Sequence, residues 1–229
     1  GQDPNRVVRA APTGWEYECD QRHAEIIFEE MDLKKCKPVG TPGVEDTLKT
    51  SAEDETHGAI PLSPAAATQY RGLTARVNYM AQDRAEIQYA VKELCRSMSA
   101  PTNDSWSKLQ RLAKYLAGRP RAVSLFSWQC ATDVVDVYSD ANWAGCKTSR
   151  KSTSGGTVLW GRSVLKSYSK IQGTIAQSSF ESELIAVVKF GTMSLADDLG
   201  IKLRVRLHVD AAAALGILER QWVGTVSYP

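Results

Sequence analysis

Three carboxylates stand where they could do chemistry together: Asp140, Glu183 and Asp210. Asp140 follows Val134-Val135-Asp136-Val137-Tyr138-Ser139, whose β-branched and aromatic residues fit a pleated, half-buried strand. The small residues Ala144 and Gly145 come soon after, so Asp140 is expected where the strand gives way to a loop. Asp210 follows a second such run, 204–209, in which Val205, Leu207 and Val209 alternate with Arg204, Arg206 and His208. A lone Asp at a strand end ordinarily bonds its own backbone in a turn. Glu183 lies about one turn into an expected helix over 177–199, just before the core position Leu184. An early helical Glu ordinarily offsets the helix dipole, which accounts for Glu181 better than for Glu183. If the two strands are neighbours, their ends bring both Asp side chains together and the helix lays Glu183 beside them. Three clustered carboxylates repel unless a cation neutralises them. Hard divalent ions such as Mg²⁺ take such oxygen ligands, and two of them about 4 Å apart activate water and steady the leaving oxygen in phosphodiester cleavage.

The surroundings of Asp140 suit a phosphate backbone. Between Ala141 and Ala176 there is no Asp or Glu, while Lys147, Arg150, Lys151, Arg162, Lys166 and Lys170 all fall there. Hydroxyls crowd the same stretch, and two strands are expected at 156–160 and 164–169. Lys147, Arg150, Lys151, Ser152, Thr153 and Ser154 are the candidate nucleic-acid contacts, since phosphate oxygens accept from such donors without regard to base sequence.

Bulk properties bound the elements that must position these groups. With 229 residues, 43% of them hydrophobic, and a formal charge of +2, the chain can bury a proper core, and global charge names no partner. Five scattered cysteines with no C-x-x-C spacing read as thiols of a reduced, intracellular protein, cytoplasmic or nuclear. No apolar run reaches the roughly 18 residues of a membrane span, and the polar start is no signal peptide. A chain beginning at Gly is expected to be a piece of something longer. A strand is expected at 15–20 and a helix at 21–31, with His23 on its surface. Pro, Gly and acidic residues mark 37–64 as a linker. Tyr70, Leu73, Val77 and Met80, then Ile87, Val91 and Leu94, are spaced as helical core faces with a break near Gln82-Asp83. Another helix is expected from an Asp104 N-cap to Ala117, burying Leu109, Leu112 and Leu116. The 177–199 helix should open on a capping box at Ser178 and Glu181, and bury Phe180, Leu184, Val187 and Val188.

Taken in order, these segments resemble the C-terminal part of the Pol polyprotein of copia-type LTR retrotransposons, from Trp15 to about Val226. Cys36-Lys37-Pro38-Val39-Gly40-Thr41-Pro42 resembles the segment after the reverse-transcriptase palm. Tyr70-Arg71-Gly72-Leu73, the stretch from Asp83 to Val91, and that from Trp106 to Leu116 resemble the helical connecting region. Tyr138-Ser139-Asp140-Ala141-Asn142-Trp143-Ala144-Gly145, Arg150-Lys151-Ser152-Thr153-Ser154-Gly155 and Ser178-Ser179-Phe180-Glu181-Ser182-Glu183-Leu184 resemble its ribonuclease H domain. The resemblance implies an α/β ribonuclease H-like mixed sheet with flanking helices, truncated at its C-terminal end. An α+β N-terminal part and a helical connecting region would precede it. It divides the chain into a remnant at 1–36, a linker at 37–64, a connecting region at 65–130 and a ribonuclease H-like domain at 131–229. It implies cleavage of the RNA strand of RNA–DNA hybrids with two Mg²⁺ ions, Asp140, Glu183 and Asp210 being both catalytic and metal ligands, and Glu181 only a helix-start acid. Expected partners are hybrid or other nucleic acid and the palm of the same polyprotein. The polymerase carboxylates are absent, so no primer extension is expected. The family's fourth carboxylate, an Asp about 20 residues after the third, has no counterpart before Pro229, which leaves a nucleic-acid-binding relic as the alternative.

Overall fold

In the computed structural model, residues 6–33, 36–43, 60–146, 149–191 and 203–209 are described, with side chains of the last helix followed to Ala186. Seven strands and five α-helices lie along them, in the order two strands, four helices, four strands, one helix and a last strand, a mixed α/β arrangement with two sheets. The chain divides into two compact units, Gly1–Ala10 with Glu16–Ser124, and Ala11–Trp15 with Leu125–Pro229. A three-stranded sheet, in order β1-β2-β3, is formed by β1 (Val7–Ala11), β2 (Gly14–Glu18) and β3 (Val123–Ser127). Gly14 is required there, because a side chain at its position would overlap the backbone of Phe126.

The first unit is held by helices: α1 (Arg22–Glu30), α2 (Pro64–Met80), α3 (Gln88–Arg96, after a 3-10 turn at Ala85–Ile87) and α4 (Asn103–Gly118). Ser63 caps α2 by accepting from the Ala66 amide, with Pro64 at the first helical position where its missing N–H costs nothing. The expected apolar spacing holds: Tyr70, Leu73, Val77, Met80, Ile87, Val91, Leu94, Leu109, Leu112 and Leu116 share one core with Ala24 and Ile27 of α1. Tyr70 buries its ring and donates its hydroxyl to the Leu94 carbonyl at 2.8 Å. The expected cap of α4 shifts by two residues. Thr102, not Asp104, is the N-cap, and it exchanges side-chain and backbone bonds with Ser105, while Asp104 pairs with Lys108 one turn on. His23 is half-buried against the Tyr79 ring, with Asp20 3.9 Å away. Ile60 and Leu62, inside the expected linker, bond the backbone at Asn103 and Pro101.

The second unit carries a four-stranded mixed sheet, in order β6-β5-β4-β7: β4 (Val134–Asn142), β5 (Thr153–Trp160), β6 (Ser163–Ile171) and β7 (Arg204–His208). The first three are antiparallel, and β7 runs parallel to β4 after the crossover through α5 (Ser179–Gly191). This is a mixed sheet with a flanking helix, as the resemblance implies. Val135, Val137, Val158, Leu207 and Val209 form its apolar cluster. No described helix is long and apolar enough to cross a membrane.

Candidate active site

Asp140 is carried by β4, whose residues alternate between faces. Val135, Val137 and Ser139 are buried, whereas Tyr138 and Asp140 are exposed on the other side. The strand does not end at Asp140. Its ladder continues through Ala141 opposite Ser154 and Asn142 opposite Thr153, and Asp140 lies opposite Gly155. Ala and Asn are poor strand formers, so the extension comes from pairing with β5 rather than from local preference.

Glu183 reaches the same place from α5. Ser178 accepts from the Glu181 amide at 3.1 Å and Glu181 accepts from the Gln177 amide at 2.7 Å, so Glu181 is engaged in starting the helix. Glu183 is 6% exposed and its Oε1 accepts from the amide of Ala141, the residue after Asp140, at 3.0 Å. The buried face of α5 differs from the expected one: Ser182, Glu183 and Ala186 are inside, while Phe180 and Leu184 are only half-buried. Val187 and Val188 lie beyond the described side chains. Polar residues win this face because each meets a partner. Ser182 donates to the Ser179 carbonyl at 2.7 Å, its own carbonyl accepts from Gln172, and Glu183 takes the Ala141 amide. Satisfied in that way, the hydroxyl and carbonyl of Ser182 lose little of what desolvation would otherwise cost.

Asp210 lies outside the described residues. The strand leading to it is the parallel neighbour of β4, with Tyr138 opposite His208, and each Asp follows that pair by two positions in sequence. Ion pairs fasten β7 to β4. Arg204 grips Asp133 through two nitrogens at 2.9 and 3.0 Å, and Asp136 takes Arg206 at 3.4 Å and His208 at 2.8 Å. The His208 ring stacks on Tyr138, with centroids 4.3 Å apart. Among the described residues no group of three or more His, Cys, Asp or Glu is arranged to hold a metal ion. The donor chemistry of Asp140 and Glu183, an exposed and a buried carboxylate beside one amide, is the kind that Mg²⁺ takes.

The expected nucleic-acid contacts divide. Lys147 lies outside the described residues. Arg150 is exposed, at a left-handed φ of 56°, and Lys151 is half-buried. Ser152, Thr153 and Ser154 are 0%, 8% and 1% exposed, so their hydroxyls are not presented to a surface ligand. Ser152 instead accepts from the Ala144 amide at 3.0 Å and Ser154 from Gln172 at 2.9 Å. Burial accompanies the β4–β5 pairing, which brings these residues beside the end of β4 and the turn that follows Asn142. The cations left exposed in this acid-free stretch are Arg150, Arg162, Lys166 and Lys170, among the described residues. Three residues have local roles the sequence did not assign: Gln172; Trp143, quoted above only within a motif, whose ring N–H donates to the Ala176 carbonyl at 3.1 Å; and Cys146, read only as one of the scattered thiols, a buried acceptor for Ser149. Isolated residues of these types have no periodic pattern to betray them.

No protein-family model matches the chain. Among curated proteins, it is 32% identical over 188 residues to the retrovirus-related Pol polyprotein from transposon RE2 of Arabidopsis thaliana. The chain is a homologue of copia-type retrotransposon Pol polyproteins. The match to RE2 covers 80% of this chain and 12% of that polyprotein. The corresponding polyprotein of transposon RE1 from the same plant is 32% identical over 86% of this chain and 13% of its own length. That of transposon TNT 1-94 from Nicotiana tabacum is 25% identical over 81% and 14%. This Pol-homologous chain therefore spans about an eighth of the RE2 and RE1 polyproteins. Among solved structures, the foamy viral protease-reverse transcriptase in complex with double-stranded DNA aligns over 82% of this chain and 35% of that chain. The identity there is 12% and the TM-score is 0.38.

Proposed function

We propose that this Pol-homologous chain carries a ribonuclease H-type site that cleaves the RNA strand of RNA–DNA hybrids, with Asp140, Glu183 and Asp210 as its carboxylates. One observation carries the reading: Glu183, buried on α5, is anchored to the amide next to Asp140 on β4. A buried Glu fixed by a backbone amide keeps its position while a substrate comes and goes. An exposed Asp beside it is free to meet a phosphate-bound ion. When bound, Mg²⁺ would neutralise the carboxylates, polarise the scissile phosphate and lower the pKa of a ligated water. The protein's own part is to hold two carboxylates on rigid elements, and to draw the hybrid's backbone with Arg150, Lys151, Arg162, Lys166 and Lys170. The helical segment at 65–130 is read as the connecting region of the polyprotein, and the palm as its partner. Incubation with labelled hybrid and Mg²⁺ tests the reading. Cleavage is expected, and Asp140→Asn should abolish it with hybrid affinity retained. Cleavage that survives Asp140→Asn would overturn the assignment. Salt-sensitive hybrid binding by a wild-type chain that does not cut would favour a binding relic instead.

A further inference from the structure

We propose that Gln172, just past the end of β6, is a positioning residue for Glu183. This inference rests on the nuclease reading for its consequence but on geometry for its content. Gln172 is 2% exposed. Its backbone N–H donates to the Ser152 carbonyl at 2.9 Å, and its side-chain Nε2 donates both to Ser154 Oγ at 2.9 Å and to the Ser182 carbonyl at 2.8 Å. One amide thus joins β5 to the first turn of α5, and Ser182 immediately precedes Glu183. Glu183 in turn takes the Ala141 amide, and Ala141 lies opposite Ser154 in the β4–β5 ladder. The contacts close a ring: Ala141, Ser154, Gln172, Ser182, Glu183, and back to Ala141.

The hydrogen bonds made by Gln172 and Glu183 are directional, which apolar contacts are not. Hydrophobic burial is non-directional, and among the described side chains of α5 the fully buried apolar one is the small Ala186, with Phe180 and Leu184 half-buried, which does little to fix the rotation of the helix about its axis. A change in that rotation moves Glu183 away from Asp140 even if the helix stays docked. A residue present only to fill space would be apolar here, because a buried amide loses rotamer freedom and hydration. The Gln172 Oε1 accepts no hydrogen bond in the structure, a further cost without a packing return. The function of Gln172 is orientation of the carboxylate.

Amide hydrogen exchange on the full chain tests this, with Gln172→Met keeping the bulk and losing the donors, Gln172→Glu keeping the length without them, and Ser154→Ala removing one acceptor. In each, the Ala141 amide should exchange about tenfold faster, as for one lost buried hydrogen bond, with Val137 and Val158 unchanged. The Mg²⁺ concentration giving half-maximal cleavage should rise severalfold, with the rate at saturating Mg²⁺ largely restored, an effect that general destabilisation would not produce. Should the Gln172 variants fail to fold, Ser154→Ala decides alone. Ala141 exchange at the wild-type rate in Ser154→Ala, or equal acceleration at Val137 and Val158, would overturn the positioning role. A wild-type chain that does not cleave hybrid defeats the nuclease reading and leaves the exchange measurement to judge Gln172 by itself.

Discussion

Asp140 and Glu183 lie in opposite environments. The first is exposed on a strand and the second is buried on a helix, yet a single amide separates them along the chain of contacts. Conversion of Glu183 to Gln preserves the size and one acceptor but removes the charge. Its expected outcome is a folded chain, unchanged in melting temperature to within a few degrees, with cleavage lost. A second charged group gives a pH prediction. The hydrogen bond from Arg121, at 2.6 Å, holds the Glu18 carboxyl below its ordinary pKa, burial opposing and Arg9 assisting. A depressed folded-state pKa means the pair contributes above the unfolded value and is lost as pH falls through the folded one. Arg121→Ala should therefore lower the melting temperature at neutral pH, and the deficit should shrink once the pH drops below about 4.3, the ordinary Glu value. A deficit that grows on acidification would contradict the assignment.

At the scale of elements, the start of α4 separates two accounts of the same sequence. Asp104 looks like a cap because an Asp just before an apolar-periodic run usually is one. Thr102 takes the role because its extended backbone and its reciprocal bonds with Ser105 complete a capping box. Thr102→Ala should cost about 1 kcal/mol in urea denaturation. Asp104→Ala should cost no more than about 0.5 kcal/mol, the worth of its exposed pair with Lys108. The reverse order would restore Asp104 as the cap. The β2–β3 contact makes a sharper demand. No Cβ fits at Gly14 against the Phe126 backbone, so Gly14→Ala should loosen that pairing, seen as faster amide exchange at Trp128, which donates to the Thr13 carbonyl beside it.

At the scale of the molecule, the two apolar clusters share no residue among those described. The helical one is broad and includes fully buried Leu73, Leu109, Leu112 and Leu116, whereas the one under the mixed sheet has five buried members among the described residues. Leu112→Ala should cost about 2–5 kcal/mol and accelerate amide exchange at Val77 and Leu94 while sparing Val137 and Val158. Acceleration at all four would show that the clusters melt together. Beside the smaller cluster, buried hydrogen bonds at Ser154, Gln172, Ser182 and Glu183 supplement the apolar contacts among the described residues. That balance explains why polar residues, not Phe180 and Leu184, face the sheet.

The sequence by itself determined the helices of the first unit, the strands of the mixed sheet and the placement of Asp140 on a strand and Glu183 on a helix. Periodicity and residue type are local properties, and a few neighbouring positions suffice to express them. Only the tertiary structure decided that β4 runs on past Asp140, that Ser152 and Ser154 turn inward, that Thr102 caps α4, and that Gln172 ties α5 to the sheet. Most of these depend on partners remote in sequence, such as the 42 positions between Ala141 and Glu183. Hydrogen bonds over such separations impose no repeat on the residues that make them, so folding has to bring the partners together before their roles can be seen.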